Sequence, residues 1–195
     1  MSVALVLLDR AEFASRRDEV LDVYAEAMEV RSESARSRRS ILAGHMNADG
    51  LGAVAAFDEG RMVGIGYGYL GVPGQWWHDQ VRAALPEETA GAWLDGAFEV
   101  CELHVRPAYQ GTGLGQALLA ELLRGVPART AALTTPDLDT RARRFYRTGG
   151  WVDLAVGLRF PGDPRVFAVL GLPLAADRPG GPGLAPPTAA LGSNS

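Results

Sequence analysis

The chain has 195 residues, of which 47% are hydrophobic and 22% are charged, and its formal net charge is −4. These values are typical of one globular domain, and the weakly acidic balance gives no support for a protein that binds nucleic acid or an anionic membrane. The single cysteine, Cys101, excludes an internal disulfide and a multi-cysteine metal site. Its strand-like surroundings predict a buried, inert thiol.

The N-terminal segment predicts neither export nor membrane insertion. The apolar run from Val3 to Leu8 is too short for a signal peptide, and no run approaches the roughly 20 apolar residues of a membrane span. Ala, Arg and Gly are abundant, as in GC-rich genomes. We therefore expect a bacterial, cytoplasmic protein.

Hydrophobic periodicity predicts the secondary structure in chain order. Strands are expected at 3–8, 51–57, 61–71, 97–105, 129–135, 151–160 and 165–174, and helices at 13–28, 78–85, 114–124 and 139–149. The basic segment 31–40 is interpreted as a solvated helix or loop rather than a phosphate site. This order predicts a mixed α/β fold, with one sheet and helices on both faces.

The predicted domain covers residues 1–176 and contains an irregular insert at 72–96. For the tryptophans of the insert, packing onto the sheet is preferred over binding of a cationic amine. The tail, 177–195, is rich in proline and glycine and is expected to be disordered.

A glycine-rich hexapeptide, Gln110 to Gly115, lies between a predicted strand and a leucine-rich helix. It is not a Walker A loop, because Gln116 and Ala117 follow where Lys and Ser/Thr are needed. The spacing also fits the dinucleotide fingerprint poorly. A tight turn without a ligand is the simplest alternative, but three glycines favour a backbone that approaches an anion at a helix N-terminus, where a pyrophosphate would fit.

The stretch "ELHVRPAYQGTGLGQALL", together with "ARRFYRTGGW" further on, resembles the acetyl-CoA signature of the GNAT superfamily of N-acetyltransferases. Trp151 stands where that family usually has Phe. The order of elements is also similar, over roughly residues 3–174. The resemblance implies a mostly antiparallel sheet with a splayed strand pair, and acetyl-CoA as cosubstrate without a metal.

By this resemblance, the strand end would offer backbone groups to the pantetheine arm, the loop would hold the pyrophosphate, and the helix that starts near Asp139 would flank the arm. The implied acetyl-CoA contacts are Leu103, His104, Val105, Gln110, Gly111, Thr112, Gly113, Leu114, Gly115, Gln116, Asp139 and Tyr146.

Acetyl transfer from a thioester to a primary amine needs a base for the amine, a donor for the oxyanion and an acid for the thiolate. By motif position Tyr146 is the expected acid, since an ordinary phenol is protonated at neutral pH. The amide of Val105 is the expected oxyanion donor. Direct transfer in a ternary complex requires no covalent enzyme intermediate.

For the base, Glu99 is ranked first, and Glu102 with His104 second. Glu99 matches the catalytic glutamate of the histone-modifying branch by its spacing from Gln110. Strand alternation predicts that Glu99 and Glu102 point to opposite faces. His45 and His78 are expected at the surface.

The acceptor is left open between a small-molecule amine and a protein amine. An acyl-CoA-binding regulatory or toxin-type module with little turnover is the alternative function, and a structural domain with an empty loop is a third reading. Sheet edges of this type can pair, so a homodimer is compatible with the sequence.

Overall fold

The computed structural model describes residues 3–174, so the predicted tail lies outside the described residues. The described chain divides into two compact units, which are considered separately: 3–70 with 98–128, and 71–97 with 129–174. The expectation of one domain over 1–176 stays a prediction. Between residues 3 and 174, no helix has both the length and the apolar character that crossing a membrane requires.

In chain order the elements are β1 (Ala4–Leu7), α1 (Arg10–Ser15), α2 (Arg17–Ala27), α3 (Ser32–Arg36), α4 (Arg39–Met46), β2 (Gly52–Asp58), β3 (Arg61–Leu70), α5 (Trp76–Ala84), α6 (Glu87–Leu94), β4 (Phe98–Val105), a 3-10 turn (Pro107–Tyr109), α7 (Leu114–Leu123), β5 (Thr130–Pro136), α8 (Arg141–Thr148), β6 (Val152–Leu158) and β7 (Phe167–Pro173). The predicted fold class is confirmed: the protein is a mixed α/β protein with mostly antiparallel strands. The single helix predicted at 13–28 is two helices. A capping box of Asp9 and Glu12 starts α1 at Arg10, and Arg16, with a φ of −97° and a ψ of 12°, separates α1 from α2.

In the first unit, β1, β2, β3 and β4 pair antiparallel in that order. Helices cover both faces, as predicted. On one face Leu21 of α2 and Leu42 of α4 join a buried cluster with Ile65 and Tyr67 of β3. The helix α7 packs on the other face.

Close packing of α7 depends on a glycine in β3. A Cβ built on Gly64 would lie 2.8 Å from a methyl carbon of Leu118 in α7. Real Cβ atoms do not approach so closely, so a side chain here would push α7 away from the sheet. Because the glycine-rich loop leads directly into α7, this packing also fixes the loop's position relative to β3.

In the second unit, β5, β7 and β6 pair antiparallel in that order, and α5 and α6 of the insert belong to its core. Trp93 lies over Gly171, where a Cβ would be 2.6 Å from its ring. Its carbonyl accepts a hydrogen bond from the Thr130 hydroxyl, and the indole of Trp77 donates to Thr134 at 3.1 Å. Packing by Trp77 and Trp93 is therefore confirmed, whereas Trp76 is 58% exposed.

The prediction that His78 lies at the surface is wrong, because it is 1% exposed on α5. Burial is the main cause that lowers the pKa of His78 below its ordinary value. This histidine is therefore a neutral core residue at pH 7.

A buried arginine holds α8 to the loop after β5 and to β6. Arg143 donates to Asp137 at 2.6 Å and to Asp153 at 3.1 Å, and its side chain is 6% exposed. We expect Arg143→Ala to lower the free energy of unfolding by about 3 kcal/mol, since it removes the buried cation from Asp137 and leaves Asp153 with the exposed Arg147 alone. Urea unfolding monitored by tryptophan fluorescence measures this loss.

Arg147→Ala is the matched control, because Arg147 lies on the same helix and contacts the same Asp153 but is exposed. Its loss should not measurably change stability. Equal urea midpoints for Arg143→Ala and Arg147→Ala would contradict a structural role of the buried pair.

Candidate functional site

The glycine-rich loop is held in shape by its own short hydrogen bonds. The side chain of Gln110 donates to the carbonyl of Val105 at 2.9 Å, and the Thr112 hydroxyl donates to the carbonyl of Tyr109 at 2.8 Å. Tyr109 is tied to β2 through its hydroxyl, which donates to Asp58 at 2.7 Å. The N-terminal end of the loop is therefore fixed to two strands of the sheet, β2 and β4.

Two of the loop glycines adopt conformations that disfavour other residues. Gly111 has a φ of +80° and Gly113 a φ of +89°, which is the left-handed region. A Cβ built on Gly113 would meet no heavy atom of the described residues within 4 Å. The space above Gly113 is thus not filled by the described protein, so a ligand can approach the backbone.

Gly113 is also the N-cap of α7, and it has no side chain that could cap the helix. The first amides of a helix have no partner within the helix. The amides of Leu114, Gly115 and Gln116 therefore point outward at the positive end of the helix dipole. This arrangement fits the negative charge of a pyrophosphate.

The backbone of β4 alternates between two directions. Arg106 donates its amide to Val63, and Val105 lies opposite Gly64 in the register. In an antiparallel ladder every second residue exchanges hydrogen bonds with its partner strand. The amides of Leu103 and Val105 consequently point away from β3, whereas the backbone of His104 is turned toward β3.

A β-bulge in β4 changes which side chains share a face. Tyr67 lies opposite Glu102 and Gly68 lies opposite Val100, so Cys101 is an extra residue on β4. Tyr69 lies opposite Glu99, and Glu99 and Glu102 therefore face the same side. The alternation that predicts opposite faces is wrong, because a bulge shifts the alternation by one residue.

Gly68 is the residue that permits this bulge. A Cβ at Gly68 would lie 2.2 Å from the carbonyl oxygen of Glu99. A glycine within a strand is a known signal of a bulge or of close backbone approach. It is the sequence feature that could have revealed the shared face of the two glutamates.

Four side chains form what we call the Glu102 cluster: Tyr24, Arg38, Glu102 and His104. The guanidinium of Arg38 donates a hydrogen bond to Oε1 of Glu102 at 2.5 Å, and Oε2 of Glu102 lies 2.6 Å from Nε2 of His104. The guanidinium lies 4.8 Å from the centre of the Tyr24 ring, and the imidazole meets the same ring edge-on at 5.1 Å. Sequence reasoning missed Arg38 because its contact is 64 residues away and no local pattern marks it.

The charge state of Glu102 follows from these contacts. Burial would raise its pKa, but the hydrogen bond and charge of His104, and then Arg38, lower the pKa below its ordinary value. Glu102 is thus a carboxylate at pH 7. A carboxylate can only accept, so Nε2 of His104 donates to it.

A tyrosine and a second histidine lie beside this cluster. Burial raises the pKa of Tyr67 well above its ordinary value and lowers the pKa of His45. The Tyr67 hydroxyl and Nδ1 of neutral His45 share a hydrogen bond at 3.4 Å, in which both groups keep their neutral form. His45 also packs against Tyr69, so the prediction of a surface position is wrong.

The other glutamate of the shared face, Glu99, is 2% exposed and lies near Tyr69 and Cys101. Burial, followed by the charge of Glu99, raises the pKa of the Cys101 thiol well above its ordinary value. A protonated thiol is a poor nucleophile. The interpretation of Cys101 as inert is consistent with this environment.

Tyr146 and Asp139 belong to the second unit. Tyr146 lies edge-on to Phe145 and to Trp151, at centroid distances of 5.0 and 5.5 Å. The prediction that the helix starts at Asp139, with this residue as its N-cap, is wrong: α8 begins at Arg141, and the hydroxyl of its N-cap, Thr140, accepts the Arg143 amide. Asp139 is an exposed partner of Arg144.

The first unit can perform two chemical tasks with the residues it brings together. The loop and the start of α7 offer backbone donors to an anion, from Gly111 to Gln116. The Glu102 cluster offers a carboxylate and an imidazole within hydrogen-bonding distance, which suits proton transfer. Anion binding and proton transfer are both required for group transfer from a phosphorylated carrier.

Comparison with known proteins agrees with this geometry. Residues 17–151 match the profile described as Acetyltransferase (GNAT) family. The chain is 34% identical to the GCN5-like protein acetyltransferase Rv2170 of Mycobacterium tuberculosis, over 89% of this chain and 100% of that protein.

Two solved structures share the fold. A protein assigned to the GNAT family, from Desulfovibrio desulfuricans, has a TM-score of 0.66 at 22% identity, with 89% of this chain and 100% of that chain covered. Salmonella typhimurium yncA, solved with its cofactor acetyl-CoA, has a TM-score of 0.60 at 16% identity, with 97% and 99% covered. The sequence match over 17–151 and the relative at 34% identity together show that the chain belongs to the GNAT acetyltransferase family.

Proposed function

We propose that the protein is an N-acetyltransferase that moves an acetyl group from acetyl-CoA directly to a primary amine. Family membership supports acetyl transfer as the reaction. The observation that carries the cofactor assignment is the loop, where Gly113 combines a φ of +89° with open space above its backbone. Acetyl-CoA supplies the activated acetyl thioester, and the residues below supply binding and proton transfer.

Two stretches of the first unit would hold the cofactor. The amides from Gly111 to Gln116 would bind the pyrophosphate at the start of α7. The backbone of Leu103 and Val105, which is directed away from β3, would bind the pantetheine arm. We assign no backbone contact to His104, because its main chain is turned toward β3.

The amide of Val105 is proposed as the donor to the acetyl carbonyl oxygen, which gains negative charge as the amine attacks. Backbone amides fixed in a strand need no reorganisation for this task. Tyr146 is proposed as the acid that returns a proton to the sulfur of CoA. The role of Tyr146 rests on its match to the family motif in "FYRTGGW".

For the base, we prefer Glu102 with His104 to Glu99. The side chains of Glu102 and His104 are 17% and 12% exposed, whereas Glu99 is 2% exposed. A base must reach the amine proton directly or through one water, and the more accessible pair meets that condition better. This order reverses the ranking based on spacing alone.

The acceptor is proposed to be a primary amine on a small molecule or a protein. The M. tuberculosis relative carries the name protein acetyltransferase, which supports a protein amine as the first acceptor to examine. Aliphatic and aromatic side chains surround the Glu102 cluster, among them Val20, Leu21, Ile41 and Leu42.

Amine-dependent release of CoA tests this function. Acetyl-CoA would be incubated with lysine-containing peptides, peptides with free N-termini and small primary amines, with thiol release followed by colour and products by mass spectrometry. We expect saturable release with at least one amine and a product 42 Da heavier than the acceptor. Binding of acetyl-CoA without release for any amine would favour the non-catalytic acyl-CoA-binding module.

A further inference from the structure

Arg38 contacts the Glu102 cluster from outside both sequence motifs. It lies between α3 and α4, and its guanidinium joins Glu102 in the ion pair described above. Its side chain is 36% exposed and that of Glu102 17%, so the arginine covers the carboxylate on its solvent side. The stacking on Tyr24 holds the guanidinium in this position.

The two oxygens of Glu102 have different partners. Oε1 accepts from Arg38, and Oε2 accepts from Nε2 of His104. With its proton on Nε2, a neutral imidazole has its lone pair on Nδ1. Because Oε1 of Glu102 accepts from Arg38, only Oε2 is left to accept from Nε2 of His104.

We propose that Arg38 is a positioning residue, which holds Glu102 in the orientation that fixes His104 with Nδ1 as the proton-accepting atom. This inference rests on the proposed function, because it names the atom that takes the proton of the acceptor amine. Arg38 and Glu102 act through His104 and touch no substrate atom themselves. Glu102 thus orients His104 as the aspartate of a catalytic triad orients its histidine base.

The proton balance of the step is complete within these groups. As the amine nitrogen bonds to the acetyl carbon, its proton moves to Nδ1 of His104. The imidazolium keeps its Nε2 hydrogen bond to Glu102, whose negative charge offsets the new positive charge. The proton then passes to water, and His104 returns to the same tautomer.

The pH dependence of this arrangement has a definite direction. The charged and titratable groups that face Glu102 come from several elements: Tyr24, Arg38, His45, Tyr67, Cys101 and His104. Among them the charge of Arg38 helps to lower the pKa of Glu102. Removal of that charge raises the pKa of Glu102. On acidification, Glu102 therefore takes up a proton, and stops accepting from His104, at a higher pH than in the wild-type protein.

Nitrogen-15 NMR of the imidazoles tests the proposal without an acceptor. The chain has three histidines, and His45→Gln and His78→Gln assign the signals. We expect His104 to be the Nε2–H tautomer in the wild-type protein and a mixture of both tautomers in Arg38→Gln. Arg39→Gln is the matched control, because the neighbouring Arg39 pairs with exposed Asp18 instead, and it should keep the single tautomer. A single Nε2–H tautomer in Arg38→Gln would overturn the proposal.

Kinetics give a second, independent readout. We expect kcat of Arg38→Gln to fall about tenfold, the lower end of the effect of an outer partner on an active histidine, with the KM for acetyl-CoA unchanged. Arg38→Lys should recover most of the loss. A purely structural role would lower the melting temperature and weaken acetyl-CoA binding while His104 kept its single tautomer, and that result would overturn the proposal.

Different results would overturn the role of Arg38 and the proposed function. Wild-type activity together with an unchanged Arg38→Gln profile would overturn the role of Arg38 alone. A wild-type protein without amine-dependent CoA release would overturn the proposed function and the base role together.

Discussion

Gly113→Glu is expected to raise the Kd for acetyl-CoA about a hundredfold or more. The glutamate places a negative charge where the pyrophosphate would bind, and two charges about 4 Å apart repel by about 4 kcal/mol at an effective dielectric constant near 20. That energy corresponds to roughly a thousandfold in Kd, and salt reduces it at this exposed loop. Isothermal titration calorimetry with acetyl-CoA measures the change.

Two further variants separate charge from backbone strain. Gly113→Ala adds a Cβ at the same positive φ and should weaken binding much less. Gly125→Glu carries the same charge at a φ of +71°, also in open space, just beyond the C-terminal end of α7, and both substitutions strain the backbone by about 1–2 kcal/mol. Undiminished affinity in Gly113→Glu, or an equal loss in Gly125→Glu, would remove the loop from the cofactor site.

Tyr146→Phe is expected to lower kcat about a hundredfold while the Kd for acetyl-CoA stays unchanged. General acid catalysis contributes about 10²–10⁴-fold, and without the hydroxyl the thiolate would take its proton from water. Phenylalanine keeps the ring that packs on Phe145 and Trp151, so the fold should be preserved. Steady-state rates with the best acceptor and saturating acetyl-CoA measure the effect.

The control for this variant is Tyr109→Phe. It also loses a hydroxyl, here the donor to Asp58 beside the loop, but it has no assigned role in proton transfer. Because this hydroxyl ties the loop to β2, we expect a higher Kd for acetyl-CoA, but kcat at saturating acetyl-CoA close to wild type. If Tyr146→Phe turned over as fast as Tyr109→Phe, the acid would have to be another group or water.

Much of the fold is readable from the sequence because local signals agree. Leu114, Leu118 and Leu122 recur at helical spacing, and all three are buried on α7. The positive φ values of Gly111 and Gly113 explain why that loop needs glycine. The helix predicted to end at 149 does end there, because Gly149 is the C-cap of α8.

The wrong predictions concern residues whose environment depends on contacts with residues far away in the sequence. The face of Glu102 depends on a bulge that requires Gly68 on the neighbouring strand. In the sequence, Arg38 lies among other arginines and is interpreted as a solvated residue. Its contact with Glu102 forms only in the fold, where β4 lies beside it. His45 and His78 look polar in the sequence, but packing half-buries His45 and buries His78, which lowers the pKa of both.

The melting temperature with and without acetyl-CoA tests whether the glycine-rich loop binds the cofactor. At 100 times the Kd, a ligand that binds only the native state adds about 2.7 kcal/mol, which for a chain of this size is a rise of about 5–10 °C. We expect this rise for the wild-type protein and almost none for Gly113→Glu at the same concentration. No rise in the wild-type protein with either acetyl-CoA or CoA would contradict a cofactor site at the loop, and with it the proposed acetyl transfer.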